Sequence, residues 1–396
     1  MAAWRVLFYV QHLLGIGHLR RAVALADGMT RAGLEVTLVT GGMPVPGLDM
    51  PVARCVQLAP ASAADLGFKT LLDEQGHPVD DAWRLRRRTQ LMQAWATCEP
   101  DAVVVELFPF GRRQMRFELL PMLEAAIARV PRPLVVCSVR DVLGGGQSDP
   151  ARADRTLEVF DRYFDQVLVH GDADLVPFGR TFVHADRLAG RLHYTGYVVA
   201  SGSEPLPSEP AVVGGAADAS QREVLVSVGG GAVGRQLLLT ALAARPLSSL
   251  HGHPWRLLAG INASDAVFEE LQALAQRQSG VVVERYRADF AQRLGQCRLS
   301  ISQAGYNTVM EILQARAPAV VVPFAGGAET EQTLRARLLA ERGALQLLEE
   351  PDLEPQALAR AIDRAATVAH RPAAVRLDGA ADAARWMLRR LQERSA

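Results

Sequence analysis

Short, continuous apolar runs alternate along this chain with longer stretches in which apolar residues recur every three or four positions. The first kind reads as strands buried on both faces and the second as amphipathic helices, so their alternation predicts parallel sheets covered by helices. In the first half, strands are expected at residues 6–10, 36–40, 102–106, 134–139 and 166–170, with a Gly-Gly turn directly after residue 40. Helices are expected at 19–31, where Val23, Ala26 and Met29 would face inward, and at 81–97, 117–129 and 152–164. The second half repeats the scheme, with strands at 224–228, 256–259, 281–285, 299–302, 319–323 and 344–348 and helices that include 233–244, 266–278 and 330–341. Between the halves, residues 201–221 (SGSEPLPSEPAVVGGAADASQ) are rich in Pro, Gly, Ser and Ala without periodicity and read as a linker. The pattern predicts an α/β fold of two doubly wound, Rossmann-like parallel-sheet domains, at 1–200 and 222–396, facing a crevice at the carboxyl ends of both sheets. The last helix, 379–393, either caps the second domain or crosses back to the first.

Composition removes several alternatives. A chain of 396 residues is long enough for two domains, each with its own core. Its 43 basic and 43 acidic residues cancel, and no basic domain marks it for nucleic acid, so a nucleic-acid partner is not expected. Lys69 is the one lysine and no glycine-rich run precedes it, which rules out a Walker-type phosphate loop and leaves no ready Schiff base. Cys55, Cys98, Cys137 and Cys297 are scattered without a C-x-x-C pair, which fits a reducing cytoplasm better than a disulfide framework. His77, His170, His193, His251 and His253 lack metal-ligand spacing, so no metal is expected. Gln11 and His12 interrupt the amino-terminal apolar run, which reads as a first strand rather than a signal peptide. No run reaches the roughly 18 apolar residues of a membrane span.

Candidate chemistry in the first half gathers at strand ends. The turn after the first strand is Gly15-Ile16-Gly17-His18, with Arg20 where a dinucleotide fingerprint has its third glycine. Thr40-Gly41-Gly42 stands where that fingerprint has its acidic residue, so NAD is poorly supported. The turn delivers His18 to a helix start, where the positive end of the dipole keeps an imidazole neutral and suits it to a general base. A capping or core histidine is the plainer alternative; the place beside Gly-x-Gly at a strand end favours function. The strand at 102–106 ends in Glu106, which could orient His18, bind acceptor hydroxyls or act as a base, or else pair with Arg112 or Arg113. Asp141, after Arg140, holds the same position on the next strand. The run at 84–88 (RLRRR) reads as a solvated helix face, with acidic lipid head groups the weaker alternative. Phe108 and Phe110, beside Arg112, Arg113 and Arg116, either touch a bilayer surface or belong to the core.

The second half carries the stronger signal, in ISQAGYNTVMEILQARAPAVVVPFAGGAETEQ at 301–332. A glycine turn with Gly305 opens a helix at 306–308, a ready anion site of backbone N–H groups. Glu311 lies at i+4 from Asn307 and i+3 from Thr308, hence on the same face. A phosphate cradle with a carboxylate behind it suits a nucleotide diphosphate and its ribose hydroxyls. Gly229, Gly230 and Gly231 follow the strand at 224–228 and allow a second close approach to phosphate, a mere tight turn being the alternative. Tyr286 and Arg287 end another strand, where backbone can meet the edge of a base and a ring can stack on it.

These residues resemble the GT-B glycosyltransferases of family 28, the group of the N-acetylglucosaminyltransferase that builds the peptidoglycan lipid intermediate. The likeness covers most of the chain and looks nearest to a branch of predicted glycosyltransferases. The loop at 15–18 resembles the family's amino-terminal glycine loop ending in histidine, 227–231 its first donor-domain loop, 302–311 its phosphate and ribose segment, and 323–332 its donor-sugar loop. The resemblance implies that Glu311 holds ribose hydroxyls, and that Gly305, Asn307 and Thr308 hold the diphosphate. It implies that Tyr286 and Arg287 border uracil, that Glu331 and Gln332 hold the donor sugar, and that His18 stands near the reacting centre. Gly17 and Gly229–Gly231 would join the donor contacts. It further implies an inverting enzyme with no metal and no cofactor, moving a sugar from a UDP-linked donor to an acceptor held by the first domain. The acceptor's class, whether small molecule, lipid or glycan, is open. His18, Glu106 or Asp141 would take the acceptor proton. The expected location is cytoplasmic, with a peripheral contact at the inner face of the membrane left open. A UDP-sugar 2-epimerase of the same plan and a non-catalytic nucleotide-sugar-binding protein are the competing readings.

Overall fold

The computed structural model describes residues 3–45, 47–64, 70–144, 149–199, 222–228, 234–261, 263–324, 331–368 and 374–395. Gly229, Gly230 and Gly231, the linker at 201–221, Lys69 and the loop at 325–330 lie outside the described residues. The chain divides into two units, Met1–Ser201 with Val375–Ala396, and Gly202–Ala374.

The first unit runs β1 (Arg5–Val10), α1 (Gly17–Arg31), β2 (Glu35–Gly42), β3 (Arg54–Ala63), β4 (Leu71–Leu72), α2 (Asp81–Cys98), β5 (Ala102–Glu106), α3 (Arg116–Ala128), β6 (Leu134–Arg140), α4 (Pro150–Tyr163), β7 (Gln166–His170) and β8 (Leu192–Tyr194). Its sheet has the order β4-β3-β2-β1-β5-β6-β7-β8 and is parallel except for β4. Successive side chains of a strand point to opposite faces, and both faces of β1 are buried. Val6, Phe8 and Val10 pack with Leu19, Ala22 and Ala26 of α1, whereas Leu7 and Tyr9 pack with Leu91 of α2 and Leu119 of α3. Phe108 and Phe110 are core residues, 1% and 2% exposed, so the bilayer alternative for them falls away.

The second unit runs β9 (Val224–Ser227), α5 (Arg235–Ala244), β10 (Trp255–Leu258), α6 (Asp265–Ala275), β11 (Val281–Glu284), α7 (Phe290–Gln296), β12 (Leu299–Gln303), α8 (Tyr306–Ala315), β13 (Ala319–Val322), α9 (Glu331–Glu341), β14 (Gln346–Leu347) and α10 (Pro355–Thr367). Its sheet is parallel throughout, in the order β11-β10-β9-β12-β13-β14. The last helix, α11 (Gly379–Ser395), belongs to the first unit. Ala383, Trp386 and Met387 pack into the α1 side of that core, and a Cβ on Gly28 of α1 would come within 2.9 Å of the Ala380 carbonyl. Of the two places open to it, the helix takes the one on the first unit. Among the described residues, no helix is long and apolar enough to cross a membrane.

Three local expectations change. Gly41 and Gly42 form no turn; they end β2. A Cβ at Gly41 would collide with the Arg87 guanidinium and the Gln11 amide, so glycine is what lets Arg87 reach the strand. β3 is a full strand despite Pro60, which falls in the register break between Thr40↔Gln57 and Gly42↔Ala61 where no ladder N–H is required. The run at 84–88 is not wholly solvated, since Arg87 is completely buried. It donates to Glu118 Oε2 at 2.7 Å, to the carbonyls of Gly41 and Ala59 at 2.8 and 2.7 Å, and to the Gln11 side chain, while Tyr9 Oη donates to Glu118 Oε1 at 2.5 Å. A buried charge survives only when paired and hydrogen-bonded on all sides.

Candidate active site

In a doubly wound sheet, ligands bind at the carboxyl ends of the strands where the winding direction reverses. In the first unit that point lies between β1, which has β2 on one side, and β5 on the other. Gly17 opens α1 with no side-chain cap, and His18 is its second residue. Glu106 closes β5. The two side chains meet there, with His18 Nδ1 2.7 Å from Glu106 Oε1. Glu106 is 1% exposed and His18 16%.

Arg21, one turn after His18, donates from Nη2 to the same Oε1 at 2.5 Å. Burial works against the Glu106 charge, but His18, Arg21 and Arg112 outweigh it and hold the carboxyl at about 2. An ionised carboxylate accepts only, so His18 Nδ1 carries the proton and donates it. The 3.3 Å approach of Arg21 Nη2 to Nδ1 is then a neighbour contact, not a hydrogen bond. Burial pushes the His18 imidazole down to about 3, with Arg112 and Arg140 acting in the same direction against Glu106. His18 is therefore neutral, with the Nε2 lone pair left to accept a proton. The alternative of an ion pair between Glu106 and Arg112 or Arg113 gives way to the pair with Arg21, and Arg113 turns to the Arg152 carbonyl and Thr156 Oγ1 of α4. Arg21 was missed in the sequence, although its i+3 spacing from His18 was legible.

Asp141 does not join this pair. It is fully buried, its Oδ1 accepts from the Val142 N–H at 2.9 Å and its Oδ2 accepts from Tyr197 Oη at 3.1 Å. Gly171 packs so close behind it that a Cβ there would sit 2.6 Å from the Asp141 Cβ. These are the contacts of a carboxylate that fastens a loop to the core.

His170, ending β7, is also fully buried, between Ser138 Oγ at 2.8 Å and Thr195 Oγ1 at 2.9 Å. Burial, helped by Arg21, lowers it to about 3. The unfolded chain protonates near 6.5 and the folded one near 3, so between those values the unfolded state holds the extra proton and stability falls as pH falls. Denaturant unfolding is expected to show a slope of up to about 1.4 kcal/mol per pH unit from His170 in that window. His170→Asn should remove that share of the slope, and an unchanged slope would count against it.

In the second unit the reversal lies between β9 and β12, where Ser227 and Ser302 stand in register, both buried. The Gly229–Gly231 turn that follows β9 lies outside the described residues. After β12, Gly305 caps α8 with φ −60° and ψ 144°, no side chain caps the helix, and its first turn carries no acidic residue. A Cβ on Gly305 would meet nothing within 4 Å, so the approach to the helix N-terminus is open among the described residues. Asn307, Thr308 and Glu311 are partly exposed on α8. Tyr286 is 55% exposed. The Arg287 side chain is committed elsewhere, to Asp289 at 2.6 Å and Glu284 at 3.1 Å, which raises its pKa and leaves only its backbone for a base edge. Gln332 Oε1 accepts from the Phe324 N–H at 3.2 Å. Glu331 is 3% exposed and its carboxylate pairs at 3.2 Å with Arg335, itself fully buried with its guanidinium 5.1 Å from the Tyr306 ring centre. Among the described residues, no three His, Cys, Asp or Glu side chains are grouped to hold a metal ion.

Residues 225–385 match the model of the glycosyltransferase family 28 C-terminal domain. The chain is 30% identical over 388 residues to the UDP-N-acetylglucosamine–N-acetylmuramyl-(pentapeptide) pyrophosphoryl-undecaprenol N-acetylglucosamine transferase of Thiobacillus denitrificans, covering 91% of each chain. The enzyme of that name from Methylococcus capsulatus is 34% identical over 139 residues, which span 35% of this chain and 38% of the relative. Among solved structures, Acinetobacter baumannii MurG superposes with a TM-score of 0.54 at 18% identity, covering 98% of this chain and 99% of that one. A putative UDP-N-acetylglucosamine 2-epimerase from Listeria monocytogenes superposes with a TM-score of 0.60 at 13% identity, covering 100% and 97%. At those identities the structures establish the two-domain GT-B plan, which transferases and the epimerase share. The near full-length relative decides between them: this chain belongs to glycosyltransferase family 28 and is a glycosyltransferase.

Proposed function

We propose that the chain is an inverting, metal-independent transferase that takes a sugar from a UDP-linked donor bound by the second unit and passes it to an acceptor bound by the first. The observation that carries this reading is the His18–Glu106 pair, a neutral imidazole with one nitrogen fixed by an ionised carboxylate and the other left as a base. His18 Nε2 accepts the acceptor hydroxyl proton as its oxygen attacks the anomeric carbon and the bond to the UDP oxygen breaks. Glu106 steadies the imidazolium that results. The open N-terminus of α8 stabilises the departing diphosphate through backbone N–H groups and the helix dipole. A UDP-linked donor is supported by the donor in the Thiobacillus relative's name and by Glu311, which stands one turn behind that N-terminus. Such a donor goes with a cytoplasmic location.

The test is UDP release from UDP-N-acetylglucosamine, with and without the lipid-linked acceptor in that relative's name. Acceptor-dependent UDP release that survives a chelator supports the proposal. Free N-acetylmannosamine formed without any acceptor would sink it in favour of an epimerase.

A further inference from the structure

The segment between β1 and α1 holds a second imidazole that the His18 pair does not use. His12 is 5% exposed, and its Nε2 donates to the Met43 carbonyl at 3.0 Å. Burial and the Arg112 guanidinium lower its pKa against that bond, so the ring is neutral and Nδ1 can only accept. The ring is closely held. A Cβ on Gly42 would collide with it, Gln11 Nε2 donates to the His12 carbonyl at 2.7 Å, and Arg112 Nε donates to the Gln11 carbonyl at 2.8 Å. Yet Nδ1 is buried without a hydrogen-bond partner among the described residues. The same holds for Glu106 Oε2 and Thr40 Oγ1. A buried polar atom left unmet costs its full desolvation, so three in one place point to a ligand.

All three lie at the carboxyl edge of the first sheet, on the face that α1 covers. Thr40 stands in register with Val10 of β1, which packs against α1. Glu106 follows Val104, another residue of that face, by two positions on β5. Gly42 follows Thr40 by two on β2, and the His12 ring occupies the space its side chain would take. Met43 and Leu14, neighbours of His12 in space and in sequence, are 38% and 45% exposed, so the ring lies one side chain below the surface. Neutral His12 and ionised Glu106 offer acceptors, and the Thr40 hydroxyl can do either. Phosphate oxygens find no donor in the first two, and a lone alcohol leaves one of them unmet. We infer that His12 Nδ1 and Glu106 Oε2 accept from hydroxyls of the glycosyl acceptor, so that the part entering this edge is a polyol, a sugar ring. The inference rests on the reading that the first unit holds the acceptor, and makes His12 a specificity-determining residue of that site.

The test titrates the full chain with the methyl glycosides of glucose, N-acetylglucosamine and N-acetylmuramic acid, with inorganic phosphate and propanol as controls. Imidazole nitrogen NMR signals and the melting temperature are followed. The His12 Nδ1 signal, identified by its loss in H12Q, should move with a glycoside and stay put with phosphate or propanol. Two variants separate this role from a structural one. H12Q keeps a donor for the Met43 carbonyl but has no acceptor in the place of Nδ1, whereas H12N keeps the acceptor and lacks the donor. Glycoside affinity should fall about tenfold or more in H12Q and hold in H12N, although H12N without sugar should melt lower than H12Q. Affinity kept in H12Q and lost in H12N would make His12 purely structural and overturn the inference. So would phosphate moving Nδ1 as far as the best glycoside does, or no glycoside moving it. Should H12N not fold, the wild-type titration decides. A glycoside shift that persists in His18→Gln, with no sugar transfer by wild type, would remove the transferase mechanism and leave this site standing.

Discussion

His18→Gln is expected to lower kcat by about 10²–10⁴-fold, the usual worth of a positioned general base, while the Kd for UDP stays within about twofold. Glutamine can still donate to Glu106 but offers no basic nitrogen, so geometry is kept and proton transfer is lost. The pH profile separates this from a structural effect. His18 sits at about 3 in the free protein, so kcat/KM should be flat across neutral pH and fall only as pH drops through about 3 and the base becomes protonated. A limb near 6.5 that disappears in the variant would contradict the buried, arginine-flanked setting. Arg112 and Arg140 are part of what depresses His18, so a bound anion would offset them and move the kcat limb to higher pH than the kcat/KM limb. If kcat in His18→Gln matched wild type, His18 would not be the base.

Glu311→Ala is the second large effect. A carboxylate accepting from ribose hydroxyls contributes about 1.5–3 kcal/mol per bond, so loss of even one such bond should lower UDP affinity by about 10- to 150-fold. The rise in melting temperature with UDP shrinks accordingly. The sharper readout is selectivity. Wild type should discriminate UDP from 2′-deoxy-UDP, and Glu311→Ala should bind the two alike. Discrimination that persists in the variant would place the ribose elsewhere, and loss of all nucleotide response in wild type would remove the donor reading altogether.

Legibility followed the range of the interaction. β5 (Ala102–Glu106) and β7 (Gln166–His170) were readable residue for residue, because a strand buried on both faces is a continuous apolar run with polar ends. β3 was not, because Pro60 and alternating small and polar residues hide a strand that exists by pairing with β2. The burial of Arg87 had no local sign. It depends on Gly41, Ala59, Gln11 and Glu118, brought together from separate elements, and within its own helix the residue sits in an ordinary charged run. The Glu331–Arg335 pair, by contrast, lies at i+4 within one helix and was visible in the spacing.

By itself the sequence determined the alternation that makes two parallel sheets, the Gly-x-Gly-His turn after the first strand, and the glycine-opened helix with Asn307, Thr308 and Glu311 on one face. Each is encoded within a few turns or one strand, where spacing alone decides which side chains are neighbours. Only the tertiary structure decided that Glu106, not Asp141, takes His18, that Arg21 shares that carboxylate, and that α11 returns to the first unit. Those contacts join different strands and helices, several of them far apart in the chain, and nothing local distinguishes the side chain that is met from the one that is passed by.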